Sequence, residues 1–490
     1  MNIKKKIEKY SGKLNKKHKK LAIILAAGHG KRIKSEKSKM LHEIWGKSTI
    51  KRVADAVSKG LGTDNIVFVL GIKADEVLNA IDKKENYIFV YQEEQLGTGH
   101  AVKVAFTHPE IKNFEGDIYI FPGDIGLLTP NTVKEFSDFF EKSDDDMCVL
   151  TAKYKGEPLY NYYGRIVRYK DKSDKDFYNK VIAIKEYKDI IKAPEDALFE
   201  YEYHGRKIIF SREDLLNLTE FNTGIYAFKS QNLPEYLKEI KDNNVQKEIY
   251  LTDLIEIYNR NGLKVGAYSI DDESDVLGFN VKSVLKYMEH LYREKVYDML
   301  KDIILIEDSE HFYIADEVVE QIIKLDKERG PLDIVIGINA YIGKDVVLNK
   351  KSYIGNNVML TGKIILGENV YIGENSLFSN YEGQTIKISD NCHFVGNARI
   401  KGEVEIGENC RIESGVRITG STEYPVKIGK NVTIKGITYI FGSVIEDKIL
   451  IEHSVIKQKY VEAVKKKNNQ IQAIRYILPL PEGMDSLQDL

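Results

Sequence analysis

The feature that most restricts the fold of this chain is a six-residue repeat of apolar side chains that begins after Leu332. Neither an α-helix, with about 3.6 residues per turn, nor an isolated strand, with a period of two, produces such spacing. Glycine follows many of the repeated positions, as at Gly337, Gly343 and Gly407. The pattern therefore predicts a parallel β-helix of hexapeptide repeats, whose coils bury one side chain per face. The repeated positions are Ile336, Ile342, Leu348, Ile354, Leu360, Leu366, Ile372 and Phe378; then Ile388, Phe394, Ile400, Ile406, Ile412 and Ile418; then Ile428, Ile434 and Ile440.

The repeat shifts register twice, after Phe378 and after Ile418. We expect loops to project from the coils at these shifts, near Tyr381–Gly383 and Ser421–Pro425. With three hexapeptides per coil, the region 332–446 corresponds to about six coils.

Upstream, short apolar runs alternate with amphipathic segments. This alternation predicts a largely parallel, doubly wound α/β sheet covered by helices. A further pattern from Asn280 to about Ile303 predicts one long helix that leaves this domain. The predicted strands are Ile23–Leu25, Ile66–Leu70, Tyr87–Tyr91, Ile118–Phe121 and Met147–Leu150, and the predicted helices are Lys47–Lys59 and Asn131–Lys142.

A loop of small residues follows the first predicted strand: Ala26, Ala27, Gly28 and then Gly30. Backbone N–H groups in such a loop can approach a phosphate closely, and Arg32 and Lys39 follow as cations. The loop lacks the third glycine of G-x-G-x-x-G, and the later Gly46-Lys47-Ser48 is not a P-loop. Taken alone, this loop fits a plain strand-to-helix connection equally well.

Six further segments support a phosphate site, and they follow the loop in a fixed order. Together the seven segments resemble the bacterial N-acetylglucosamine-1-phosphate uridylyltransferase family, in which a left-handed β-helix follows the nucleotidyltransferase domain. The resemblance implies transfer of a uridylyl group from UTP to N-acetylglucosamine-1-phosphate, with Mg²⁺ as cofactor, to give a cell-envelope precursor. The six segments are Gln92–Ala101, Gly123-Asp124, Tyr163–Ile166, Asn222–Gly224, Glu248–Asp253 and Gly278–Asn280.

The same resemblance assigns roles to individual residues. Arg32 would bind the leaving pyrophosphate, and Lys39 would neutralise the α-phosphate and the incoming phosphate. Asp124 and Asn280 would hold the metal ion through hard oxygen ligands. The nucleotide would contact Ala26, Ala27, Gly28, Gly30, Gln92, Gly97 and Thr98, and the sugar would contact Gly164, Glu186, Asn222, Tyr250 and Thr252.

The chain departs from the family pattern at several positions. Ser38 and Gly126 stand where proline is usual, and Leu277 stands where a carboxylate is common. About 20 residues around Tyr201–Leu218 have no counterpart in the family and could reshape the sugar pocket.

Many family members also acetylate glucosamine-1-phosphate in the β-helix, with a histidine as base and a tyrosine at the sugar phosphate. Alignment of the coils places Asn357 at the histidine and Leu360 at the tyrosine. Asparagine has no nitrogen that titrates near neutral pH, so it cannot serve as the base. Asn380-Tyr381-Glu382-Gly383 resembles a family loop associated with acetyl-CoA, and we interpret it as a relic.

Composition limits the remaining possibilities. The formal net charge of -2 gives no pull toward nucleic acid or an anionic membrane, and three scattered cysteines indicate neither a disulfide framework nor a zinc site. No signal peptide or membrane span is evident, so we expect a cytoplasmic protein that binds small molecules. The hexapeptide repeat favours a homotrimer, because closed three-fold packing buries flat apolar faces.

We expect five regions in the chain: a basic N-terminal tail (1-20), the nucleotidyltransferase domain (21-280), a helical connector (281-331), the β-helix (332-446) and a C-terminal extension (447-490). Three alternatives to the leading function remain open at this stage. They are the same chemistry on another sugar-1-phosphate, a bifunctional enzyme that retains acetyl transfer, and a non-catalytic nucleotide-sugar sensor or scaffold.

Overall fold

A computed structural model of the chain describes residues 3–28, 30–158, 161–175, 177–242, 244, 246–463, 465, 469, 474–475 and 477. Contacts divide the chain into two units, Met1–Glu289 and His290–Leu490. Much of the predicted C-terminal extension, including nearly everything after residue 465, lies outside the described residues.

The first unit, within the described residues, is built on a nine-stranded sheet with helices on both faces, and β2–β3 and β10–β11 form two separate hairpins. The strands of the unit are β1 (Lys20–Ala26), β2 (Glu43–Ile44), β3 (Lys47–Ser48), β4 (Ile66–Leu70), β5 (Tyr87–Tyr91), β6 (Asp117–Pro122), β7 (Met147–Lys153), β8 (Arg165–Arg168), β9 (Val181–Lys185), β10 (Leu198–Tyr203), β11 (Arg206–Ser211), β12 (Glu220–Lys229) and β13 (Val265–Ile270). Its helices are α1 (Ile3–Tyr10), α2 (Thr49–Leu61), α3 (Ala74–Ala80), α4 (Thr98–Ala105), α5 (Pro109–Lys112), α6 (Pro130–Lys142), α7 (Tyr187–Lys192), α8 (Arg212–Leu216), α9 (Leu233–Tyr236) and α10 (Leu254–Arg260).

The strand order along the sheet is β13-β7-β12-β6-β1-β4-β5, and β8 and β9 extend it beside β12. β1 pairs in parallel with β4 and with β6, whereas β12 runs antiparallel between β6 and β7. Alternate residues of β1 enter opposite cores: Ile24 packs with α2 and α6, and Ile23 packs with α4 and α10. The predicted doubly wound α/β domain is confirmed.

The N-terminal segment, which we expected to form a basic tail, is instead bound to this sheet. Ile7 and Leu14 are buried, and the backbone N–H of Gly12 donates to the carbonyl of Tyr87 at 2.7 Å. Two apolar side chains among many lysines are therefore enough to cover the edge strand β5, which would otherwise expose unpaired backbone groups.

The unmatched segment near 201–218 forms the hairpin β10–β11 and the helix α8. Tyr203 and Leu215 bury their side chains in a small core with Val167 and Ile190. The segment therefore packs against β8, β9 and α7, next to the residues predicted to bind the sugar.

The helix α11 (Lys282–Leu300) contains the boundary between the two units. The second unit also contains α12 (Asp316–Arg329). Its strands form three parallel sheets of nine, eight and seven strands. They are β14 (Leu305–Ile306), β16 (Val335–Ile336), β19 (Tyr353–Ile354), β22 (Tyr371–Ile372), β25 (His393–Phe394), β28 (Arg411–Ile412), β31 (Thr433–Lys435), β34 (Leu450–Glu452) and β37 (Ile474–Arg475); β15 (Phe312–Ile314), β17 (Ala340–Ile342), β20 (Met359–Thr361), β23 (Leu377–Ser379), β26 (Arg399–Lys401), β29 (Arg417–Thr419), β32 (Tyr439–Phe441) and β35 (Val455–Lys457); and β18 (Val346–Val347), β21 (Ile364–Leu366), β24 (Ile386–Ile388), β27 (Val404–Ile406), β30 (Val426–Ile428), β33 (Val444–Ile445) and β36 (Tyr460–Val461).

Each strand of these sheets pairs in parallel with the equivalent strand of the next coil, and the repeated aliphatic side chains are buried inside. The predicted parallel β-helix of hexapeptide repeats is confirmed. Within 332–446 each of the three sheets has six strands, as expected for about six coils. Strands on both sides of 332–446, such as Leu305–Ile306 and Val455–Lys457, continue the sheets without keeping the six-residue spacing.

Asparagine holds many corners of the coils. Asn339, Asn357 and Asn375 adopt positive φ angles of 57°, 56° and 57°, a left-handed conformation that asparagine tolerates better than most residues. Their side-chain amides form a ladder, with the Asn339 Nδ2 donating to the Asn357 Oδ1 at 3.2 Å. The corner asparagines therefore link successive coils.

Candidate active site

A cleft of about 530 Å³ opens in the first unit, beyond the carboxyl ends of β1, β5 and β6. Ligands of open α/β sheets bind outside the carboxyl ends of the strands, at the point where the strand order reverses. The cleft is lined by Leu25, Ala27, Gly28, Gly30, Lys39, Met40, Gln92, Gln95, Gly97, Thr98, Ala101, Pro122, Asp124, Glu186, Asn222, Gly224, Tyr226, Gln246, Glu248, Tyr250, Thr252 and Asn280.

Most residues that sequence reasoning selected lie in the lining of this cleft. Three do not: Ala26 is buried beneath the loop, Gly164 lies behind the wall, and the Arg32 side chain is exposed to solvent. Gly164 remains adjacent to the wall, because its carbonyl accepts a hydrogen bond from the Asn222 N–H at 2.9 Å. The residues selected from the sequence therefore converge on this cleft. Arg32, which was expected to bind pyrophosphate, is exposed and does not line it.

The loop after β1 brings the backbone close to Lys39. Gly30 has a φ of 72°, and a Cβ at this position would lie 3.1 Å from the Cβ and Cδ of Lys39. A side chain at Gly30 would therefore meet both backbone strain and the stem of Lys39. Gly28 faces open space, because no atom lies within 4 Å of an added Cβ. The space in front of Gly28 is where a phosphate could approach the backbone.

Lys39 connects the two residues predicted to bind a metal ion. Its Nζ donates to the Asp124 Oδ2 in an ion pair and to the Asn280 Oδ1 at 3.0 Å. The side chains of Lys39 and Asp124 are only 10% and 17% exposed, so the pair is largely removed from water. Three segments distant in sequence thus meet at one ammonium group.

The residues around this ammonium fit a divalent metal ion of the hard type. Asp124 and Asn280 offer carboxylate and amide oxygens that already converge on a single cation. Mg²⁺ commonly takes only one or two protein ligands and completes its shell with phosphate and water. In the described part of the chain, no group of three or more His, Cys, Asp or Glu side chains is arranged to hold a metal. A metal here would therefore need substrate oxygens.

One side of the cleft is formed by the loop after β5. Gln92 is buried, and its Nε2 lies 3.0 Å from the His100 Nδ1 and 3.4 Å from the Gly97 carbonyl. These contacts hold the amide at the floor of the cleft, where its polar atoms can pair with the edge of a base. The Thr98 Oγ1 accepts from the Leu251 N–H at 3.2 Å, which joins this loop to the opposite wall.

The opposite wall carries the residues predicted to bind a sugar. The Tyr226 hydroxyl lies 2.8 Å and 3.0 Å from the Nδ2 and Oδ1 of Asn222, and so fixes this amide. Burial is the main cause that raises the pKa of Glu186 to about 7, and the nearby carboxyls of Asp189 and Asp253 contribute less. Burial also raises the pKa of Asp253 to about 6. The wall therefore presents a carboxyl that changes charge near neutral pH.

Sequence reasoning missed two polar side chains in this wall, Tyr226 and Gln246, and it included Glu248 in a matched segment without giving it a role. The Gln246 Nε2 donates to the Tyr250 hydroxyl, and its Oε1 accepts from the Lys188 Nζ. Gln246 lies two residues before the matched segment Glu248–Asp253, and this proximity was the available signal. Tyr226 gave none beyond its place four residues after Asn222 on the same strand.

In the second unit, the positions aligned with the acetyl-transfer residues have structural roles. The Asn357 Nδ2 donates to the Asn375 Oδ1 at 3.3 Å in the corner ladder. Leu360 is fully buried inside the coil. The Asn380 side chain bridges the Lys363 peptide, with Oδ1 accepting at 3.0 Å and Nδ2 donating at 2.7 Å. These side chains are therefore engaged in holding the coils together.

Comparison with known proteins gives relatives of one kind. Residues 22–174 match the family of the MobA-like NTP transferase domain. The bifunctional protein GlmU of Acetivibrio thermocellus is 36% identical over 299 residues, which cover 61% of this chain and 57% of that protein. The GlmU of Clostridium kluyveri is 32% identical over 420 residues, covering 86% and 72%, and that of Caldicellulosiruptor saccharolyticus is 30% identical over 413 residues, covering 84% and 75%.

One solved structure, a UDP-glucose pyrophosphorylase complexed with UDP-glucose, aligns with 56% of this chain and 99% of its own, at 16% identity and a TM-score of 0.43. The chain spans little more than half the length of the Acetivibrio thermocellus protein, and about three quarters of the length of the other two GlmU proteins.

The raised pKa of Glu186 predicts a pH-dependent gain of stability in Glu186→Gln. The native carboxyl keeps its proton up to about pH 7, whereas the unfolded one loses it near 4.5. The free energy of unfolding therefore falls as the pH rises from about 4.5 to about 7. Above about pH 7 the buried carboxylate destabilises the folded state by a constant amount. Glutamine avoids that cost, so we expect the variant to be more stable than wild type by about 3 kcal/mol at pH 8 and by less than about 1 kcal/mol at pH 5.

Thermal unfolding of the full chain at both pH values measures this difference. Glu202→Gln is the matched control, because Glu202 is an exposed carboxyl on the neighbouring hairpin. An equal difference between wild type and Glu186→Gln at pH 5 and pH 8 would contradict the assignment.

Proposed function

The chain belongs to the family of the bifunctional protein GlmU, and from this premise we propose that it is a sugar-1-phosphate nucleotidyltransferase that converts UTP and N-acetylglucosamine-1-phosphate into UDP-N-acetylglucosamine and pyrophosphate. The single observation that carries the proposal is the convergence of Lys39, Asp124 and Asn280 in one cleft. A sensor or scaffold would have no need to keep a buried charge cluster at a phosphate loop.

The reaction is an in-line attack of a sugar-phosphate oxygen on the α-phosphorus of UTP, and pyrophosphate leaves. Two polyanions must meet, so the site has to supply positive charge more than an acid or a base. The backbone N–H groups around Gly28 and Gly30 hold the nucleotide phosphates. Lys39 neutralises the α-phosphate and the incoming phosphate, and Arg32 moves in from solvent to bind the departing pyrophosphate.

We infer that the divalent metal ion of the site is Mg²⁺, held by the oxygens of Asp124 and Asn280. When bound, it supplies a Lewis-acid charge that neutralises phosphate oxygens. Uracil is selected by the Gln92 amide and the Gly97 backbone, and Thr98 fixes their loop. Glu186, Asn222, Tyr250 and Thr252 receive the sugar hydroxyls and the N-acetyl amide, with the Gly164 backbone behind them.

We assign uridylyl transfer to residues 21-280 and assembly to the β-helix, which includes 332-446 and begins inside the expected connector 281-331, at Leu305–Ile306 and Phe312–Ile314. No acetyl transfer occurs in the β-helix, because Asn357 and Leu360 offer neither a base nor a phosphate-binding hydroxyl. The β-helix serves to form a homotrimer. Support comes from large apolar side chains exposed on its first coils, namely Leu305, Ile338, Tyr341, Val347 and Met359.

No helix in the described part of the chain combines the length and the apolar character needed to cross a lipid bilayer. The three cysteines, Cys148, Cys392 and Cys410, are free and buried, which suits a reducing compartment. We therefore assign the enzyme to the cytoplasm, with small-molecule substrates and no nucleic-acid partner.

Replacement of Asp124 by alanine is expected to lower turnover on the order of a hundredfold or more, since one lost metal ligand removes several kcal/mol of transition-state stabilisation. The measurement is pyrophosphate release from UTP and N-acetylglucosamine-1-phosphate, which EDTA should abolish. Asp82→Ala is the control, because Asp82 lies outside the cleft and is paired with Lys51. Undiminished turnover of Asp124→Ala would refute the metal assignment, and activity restricted to another nucleotide or sugar phosphate would refute the substrate assignment.

Acetyl transfer from acetyl-CoA to glucosamine-1-phosphate is expected to be absent. Thiol release, followed with and without the amino sugar, measures it directly. Robust release that depends on the amino sugar would show that another group, such as His393, acts as the base.

Light scattering is expected to give three times the protomer mass of 56.1 kDa for the full chain. Met359→Glu, which places a charge on an exposed apolar position of the first coils, should weaken the assembly. Lys387→Glu changes an exposed outward side chain farther along the β-helix and serves as control. A monomeric mass at micromolar concentration would refute the trimer.

A further inference from the structure

The ammonium group of Lys39 lies between the two oxygens that would ligate a metal ion. It donates to the Asp124 carboxylate and to the Asn280 amide oxygen, the latter at 3.0 Å. Asp124 and Asn280 thus share one positive charge, that of Lys39. A metal ion that approached these oxygens alone would have to displace a cation that is covalently attached to the site.

The side chain of Lys39 is packed against neighbouring residues. Its stem packs beside Gly30, where an added Cβ would lie 3.1 Å from the Cβ and Cδ of Lys39. Its Nζ also lies 5.3 Å from the centre of the Phe279 ring, which is fully buried. His42 packs against the same ring in an edge-on contact, with centroids 6.1 Å apart. These neighbours confine the ammonium to the vicinity of Asp124.

We propose that Lys39 determines the specificity of the metal site: it excludes a divalent ion that arrives without phosphate and admits one that arrives with a nucleotide. This inference rests on the metal site of the proposed function. It assigns to Lys39 a role in the free protein, in addition to its contact with phosphate during the reaction.

The physical reason is charge balance in a region with little water. A divalent ion beside Lys39 would place three positive charges against the single negative charge of Asp124, and such repulsion is weakly screened away from solvent. A nucleotide triphosphate changes this balance, because its oxygens accept the ammonium and also complete the coordination shell of the metal. Lys39 can then leave the Asp124 carboxylate without losing its counter-charge.

Binding of Mn²⁺ alone, without nucleotide or sugar, tests the proposal. Electron paramagnetic resonance of free Mn²⁺ gives the dissociation constant for the full-length wild type and for Lys39→Met, which keeps the stem but removes the charge. We expect Lys39→Met to bind Mn²⁺ about tenfold more tightly or better. Lys37→Met is the matched control, because Lys37 is an exposed cation of the same loop that pairs with Glu43 instead of Asp124, and it should leave the affinity unchanged.

The double variant Lys39→Met/Asp124→Asn shows where the metal binds, since the gain should disappear in it. Lys39→Gln, checked for folding by circular dichroism, provides a second neutral side chain and should reproduce the gain. Equal Mn²⁺ affinity in wild type and both neutral variants would overturn the proposal, as would a gain that persists in the double variant. Because the titration contains no UTP and no sugar phosphate, failure of the proposed reaction in the pyrophosphate assay would be a separate result.

Discussion

The arrangement of the cleft depends on one buried charge pair, the Lys39 ammonium and the Asp124 carboxylate. Each charge would be costly to bury alone, and removal of either partner from such a pair leaves the other uncompensated. The pair also joins the loop after β1 to the end of β6, and Asn280 brings in the start of the segment that leads to α11. The groups proposed to surround a phosphate are therefore held together by contacts with one another.

The parallel arrangement of β1, β4 and β6 explains why these charges can meet at all. Parallel strands deliver their carboxyl ends to the same edge of a sheet, so the loops that follow them share one space. In the second unit the same pairing has a different result. In the described coils each repeated aliphatic side chain lies on its equivalent in the next coil and is buried inside. Any function of the β-helix must therefore lie on its outer faces or in its loops.

The sequence revealed those parts of the structure that depend on local spacing. The strand at Tyr87–Tyr91, the strand before Asp124 and the six-residue repeat could all be recognised, because their periods are set by backbone geometry. Contacts between distant segments could not. Nothing near Gln246 indicates its hydrogen bond to the Tyr250 hydroxyl, and nothing near Ile7 indicates that it covers a strand edge. The terminal coils were missed for a related reason, since they pair as strands without the spacing that marks the central ones.

The two facing walls of the cleft are joined by backbone hydrogen bonds on either side of Gly97. Its φ of 105° excludes most side chains, and a Cβ there would lie 2.6 Å from the Ile249 carbonyl oxygen. The Ile249 N–H donates to the Leu96 carbonyl at 2.7 Å, and its own carbonyl accepts from the Gly99 N–H at 2.8 Å. The loop that carries Gln92 and Gly97 is thus hydrogen-bonded to both the N–H and the carbonyl of Ile249. A shift of either loop must move the other, so the side of the cleft proposed to bind the base and the side proposed to bind the sugar are linked through the backbone.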